Sequence, residues 1–124
     1  MSKTNDHVPM LSAKSLIGTE VVNLQGEKLG KLEELMIDLA SGRIGYAVLS
    51  FGGVLGIGDK LFAVPWASLQ VDETREQIVM NAHKDLLEKA PGFDKNHWPQ
   101  TPNGLWVHEV YSYYGHEPYW SKTP

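Results

Sequence analysis

YAVLSFGGVLGIGDKLFAVPW, residues 46 to 66, decides the fold. Two apolar runs flank a loop laden with glycine, and the outline is a hairpin. The first run belongs to Ile44 to Phe51, rich in β-branched and aromatic residues and suited to a central strand. Lys60 to Val64 forms the return strand. Pro65 has no N–H to give a ladder and ends it, so Trp66 to Leu69 is expected to make a short helical turn.

Working outward toward the amino end, Leu39 to Arg43 (LASGR) reads as a turn and Leu29 to Asp38 as a strand. Leu35, Met36 and Ile37 break its alternation, which predicts a bulge or burial on both faces. Gln25 to Lys28 has turn chemistry and Thr19 to Leu24 is an earlier strand. Ser12 is placed to cap one helical turn, Ala13 to Ile17, with Gly18 left-handed behind it. Toward the carboxyl end, Gln70 to Asp72 and Gln77 to Asn81 flank a polar turn at Glu73 to Glu76. Leu86 and Leu87 lie on a short helix that ends at Ala90, before Pro91. The expected fold is mainly β: a small antiparallel barrel of five or six strands with short helices.

The 34 residues from Pro91 differ in composition, holding three of the four Trp, four of the five Tyr and three of the five His. Thr101 and Pro102 suit a helix start and Gly115 a helix end. Trp106, Val110 and Tyr113 or Tyr114 share one face at helical spacing, so this aromatic tail is expected to contain one amphipathic helix. The organisation expected is a flexible arm over residues 1–11, a barrel over 12–90 and an extension over 91–124 that packs on the barrel or on a second subunit.

Composition narrows the class. A 124-residue chain is the size of one domain, and a net charge of −4 argues against a face built for nucleic-acid phosphates. Without Cys there are no disulfides, thiol nucleophiles or thiolate ligands. The opening MSKTNDHVPM does not resemble a signal peptide, and no run approaches the ~18 apolar residues of a membrane span, so the expected location is cytoplasmic.

Three segments carry a resemblance: SAKSLIGTEVVNLQGEKLGKLEELMID, GRIGYAVLSFGG and, above all, LGIGDKLFAVPWASL. Together they make the chain from Ser12 to about Asn81 resemble the PRC-barrel domain, known from the photosynthetic reaction centre and from the carboxyl end of a ribosome maturation factor. The resemblance implies a six-stranded or similar small barrel used for assembly and docking, with no catalytic residues to carry over and no cofactor. Neither the membrane anchor of the reaction-centre subunit nor the RNA-associated domain of the maturation factor accompanies it here, so we expect neither role to transfer. The chain looks like small free-standing members, some linked loosely to stress or sporulation.

Several motifs invite chemistry and are better read plainly. The loop Gly52 to Gly58 has no Gly-Lys-Ser/Thr and does not fit G-x-G-x-x-G, so its glycines are structural. Its apolar members Val54, Leu55 and Ile57 are either a contact tip or a plug for one barrel end. Asp59 and Lys60 are read as a turn cap and a solvated lysine, and Glu33, Glu34 and Asp38 as a solvated strand face. His97, His108 and His116, within a repeated HEVY and HEPY, are the one conceivable metal set, but His-Glu lacks the second His four residues on that a zinc helix needs. No metal is therefore expected, and no G-x-S-x-G elbow is present.

The function expected is a non-enzymatic protein interaction module that binds a partner or itself, most simply as a homodimer. Candidate contact residues are Val54, Leu55 and Ile57 in the loop and Trp98, Trp106, Tyr111, Tyr113, Tyr114 and Trp120 in the tail. Two alternatives stand beside it: a metal- or small-ligand-binding protein using the tail histidines, and a ribosome or RNA-processing adaptor without direct RNA contact.

Overall fold

In the computed structural model, which describes residues 9–52, 59–90, 92–94 and 104–121, Ser12 caps the first helix as its spacing predicts. Its Oγ accepts the Ser15 N–H at 3.1 Å, α1 runs Ala13–Leu16, and Gly18 follows at φ +91°. The strands are β1 (Glu20–Val22), β2 (Lys28–Ile37), β3 (Ile44–Gly52), β4 (Asp59–Val64), β5 (Leu69–Asp72), β6 (Gln77–Met80) and a two-residue β7 (Phe93–Asp94). Pro65 closes β4 and a 3-10 turn at Trp66–Ser68 leads into β5. Helix α2 is Lys84–Glu88 and α3 is Gly104–Tyr113, with a second 3-10 turn at Tyr119–Ser121.

One mixed sheet of order β5-β6-β1-β2-β3-β4-β7 curls into the expected small barrel, open on one side. Every junction is antiparallel except β1–β6, where Val21 and Val22 run parallel to Ile78 and Val79. The parallel junction lets β5–β6, arriving late in the chain, dock on β1 rather than on their sequence neighbour β4. β7 is an element the sequence reading did not include.

Curvature comes from β2 and β3. Register shifts fall between Leu32 and Glu34 and between Met36 and Ile37; only the second lies in the Leu35 to Ile37 run where alternation broke. Gly30, at φ +133°, crosses β3 so closely that an added Cβ would lie 2.1 Å from the Ser50 carbonyl oxygen; only glycine fits there. The concave face holds the main core, with Leu29, Leu32, Leu49, Phe62, Val64 and Ile78 all fully buried. A second, smaller core forms on the convex face from Tyr46, Val48, Leu61 and Ala63. Among the described residues no helix is long and apolar enough to cross a membrane.

Candidate functional site

The barrel interior is not covered to its end. On β5, Leu69 faces the core at 7% exposure, yet Val71, two residues on and on the same face, is 36% exposed. On β2, Leu35 packs against the core, and beyond the second register shift Ile37 is 51% exposed. Ile44 is its partner across the β2–β3 pair. These side chains belong to the inner face by position and are left open because β5 ends the sheet there.

The result is an apolar groove of about 650 Å³. Leu35, Ile37, Ile44 and Trp66 line one side, Val71 and Glu73 the other, and Met10 and Leu11 close it from the amino-terminal segment. Met10 is 80% exposed and Leu11 50%, so the lip as well as the floor is apolar. A second chamber of about 400 Å³ adjoins it, sharing Leu11, Leu16, Val71 and Glu73 and lined also by Asp72, Glu76 and Gln77. The β5–β6 turn presents these three carboxylates together; Asp72 Oδ1 accepts the Arg75 N–H at 3.2 Å and Glu76 sits at φ +52°. Among the described residues no Lys or Arg lines either chamber.

Such a surface can bury apolar side chains and attract positive charge, and among its described lining residues there is no His or Cys. Among the described residues no group of three or more His, Asp or Glu could hold a metal ion. His108 is exposed on α3, His116 is partly buried beyond its end, and His97 lies outside the described residues.

Helix α3 occupies the opposite, convex face, and the tail's Tyr114 packs against the main core. α3 lays Trp106, Val107 and Val110 on Tyr46, Val48, Leu61 and Ala63, with the Trp106 and Tyr46 rings edge to face at 5.4 Å. Tyr111 is 2% exposed and its hydroxyl donates to the Gly45 carbonyl at 2.6 Å; Tyr113 donates to the Leu86 carbonyl at 2.8 Å. The helix closes as a Schellman motif, with Gly115 N–H on Ser112 O and His116 N–H on Tyr111 O. Beyond it, Tyr119 donates to Asp38 Oδ2 at 2.5 Å and Arg43 Nη1 donates to the Tyr119 carbonyl at 2.9 Å, tying the tail to the β2–β3 turn. The Tyr119 hydrogen bond, followed by the Ala40 N–H, holds the Asp38 carboxyl below its ordinary value. Burial first, then Asp38, pushes the Tyr119 hydroxyl up to about 12.

Of the contact residues expected from sequence, Tyr111 points into the chain, Trp106 and Tyr114 are partly covered, and Tyr113 and Trp120 keep 37% and 45% exposure. Val54, Leu55, Ile57 and Trp98 lie outside the described residues. Sequence reasoning missed the groove altogether. Its one local signal was the apolar pair Met10-Leu11 after a polar opening.

The family model described as PRC-barrel domain matches residues 9–87. No curated protein matches the chain. Among solved structures, it is similar to a putative 16S ribosomal RNA processing protein RimM from Pseudomonas aeruginosa, at 17% identity and a TM-score of 0.42 over 63% of this chain and 47% of that one. The chain thus spans less than half the length of that relative.

Proposed function

The chain belongs to the PRC-barrel domain family, and from that premise we propose that it is a non-enzymatic docking module whose partner seats in the open groove. The observation that carries this reading is the run of inner-face side chains, Leu35, Ile37 and Val71, left open beside the exposed Met10 and Leu11. Burying such a surface drives protein association, and contiguous exposed apolar patches on soluble domains are commonly interaction sites.

The test is affinity purification from the native cell with three baits of matched melting temperature: the wild type, Ile37→Glu in the groove, and Leu24→Glu on the Asn23 to Glu27 loop, where Leu24 is 65% exposed and lines neither chamber. The expected result is one stoichiometric protein recovered by the wild type and by Leu24→Glu but not by Ile37→Glu. Equal recovery by all three, or by none, overturns the reading. The homotypic form of the proposal, a dimer, is separated by light scattering, which reads one 13.8 kDa chain or twice that mass.

A further inference from the structure

Resting on that docking reading, we infer that the occupant of the groove is an apolar segment of another protein that carries Lys or Arg at one end. The groove is polarised along its length. Its first chamber has a single charged side chain, Glu73, which the second chamber shares, and the second adds Asp72 and Glu76; Arg75 of the same turn lines a different pocket, with Val22 and Leu24. No cation offsets them among the described lining residues, and the chain as a whole carries −4. A segment that fills the first chamber with aliphatic or aromatic side chains therefore brings its next residues toward three carboxylates, of which Glu73 and Glu76 are exposed and Asp72 is half-buried. Lys or Arg there gains charge-assisted contacts, whereas Asp or Glu meets like charge.

The same features exclude other occupants. An anionic membrane or an RNA presents phosphate to the carboxylates and is repelled. A second copy of this acidic chain is disfavoured by sign for the same reason.

The proposal is tested with three synthetic peptides on the full chain, followed by amide chemical shifts: an alternating Leu-Val segment ending in Lys-Arg-Lys, the same segment ending in Glu-Glu-Glu, and a Gly-Ser segment ending in Lys-Arg-Lys. We expect the first alone to bind measurably, to shift the amides of Leu11, Val71, Glu73 and Glu76, and to weaken as salt rises. In the variant Glu73→Lys/Glu76→Lys the preference should reverse toward the acid-ended peptide, a change of roughly ten-fold or more in relative affinity. Equal affinity for the two Leu-Val peptides, or failure of the reversal, overturns the charge inference; if Ile37→Glu still abolishes binding of both, docking in the groove survives. Shifts confined to the Trp120 region overturn the location. Concentration-dependent shifts at the groove without any peptide assign it to a second copy and overturn the proposal.

Discussion

Tyr111 and Tyr114 stand three residues apart on one face of α3 and its final turn, and their hydroxyls have opposite fates. Tyr111 donates to the Gly45 carbonyl, while the buried Tyr114 oxygen has no hydrogen-bond partner among the described residues. Burial pushes the Tyr111 hydroxyl up to about 12 and the Tyr114 hydroxyl further still, with Tyr113 adding to the second shift. Replacing a buried donor that serves a carbonyl leaves that carbonyl unpaired; replacing one that serves nothing removes a desolvation cost. Tyr111→Phe should therefore cost about 1–2 kcal/mol, and Tyr114→Phe should be neutral or stabilise by up to ~1 kcal/mol, as read in urea unfolding. Helical spacing grouped Trp106, Val110 and Tyr113 or Tyr114 and did not include Tyr111. Which hydroxyl finds an acceptor was not legible, because Gly45 lies opposite the second register shift of β2, and only the folded pairing puts its carbonyl under Tyr111.

Elements whose ends are set by local chemistry were legible: Ser12 starts α1, Pro65 stops β4, and the break at Leu35 to Ile37 marks a bulged strand. β7 was not. It exists because Gly92 passes β4 so closely that an added Cβ would lie 2.8 Å from the Leu61 carbonyl oxygen, letting Phe93 pair with Leu61. The 3-10 turn Tyr119–Ser121 likewise depends on distant partners, Asp38 and Arg43. That tie gives the tail a pH dependence with a definite sign. The Asp38 carboxyl is depressed in the folded chain, so its contribution is complete above its ordinary value of 3.8 and is lost as pH falls through its lower folded value. Tyr119 is raised, so its contribution is complete below 10.0 and is lost as pH rises toward about 12. Trp120, edge-on to Tyr119 at 5.0 Å, reports the tie by fluorescence. We expect its emission to change at both extremes in the wild type. In Asp38→Asn the acid transition should disappear while an alkaline one persists.

For the whole molecule, the barrel was readable because its strands are bounded by turns and carry the family motifs, whereas the groove was not, because nothing in an apolar strand residue tells whether another element covers it. Val71 and Ile78 are both apolar residues of the final hairpin, yet one is 36% exposed and the other fully buried. The same limit applied to the convex face, where Tyr46, Val48, Leu61 and Ala63 are covered by α3 and β4 is edged by β7. Deleting everything after Ala90 removes both covers at once. It uncovers four apolar side chains, the larger ones worth roughly 1.5–3 kcal/mol each when fully buried. It also bares the edge of β4, DKLFAV, whose unbroken apolar run from Leu61 to Val64 makes it a template for pairing with another chain. The truncated barrel should therefore melt lower and aggregate in light scattering. If the uncovered face drives association, adding Val48→Lys should return the truncated barrel to solution as a monomer, because a charge at the centre of that face opposes both collapse and edge pairing. A truncated chain as stable and monodisperse as the full one would mean that the convex face does not depend on the tail.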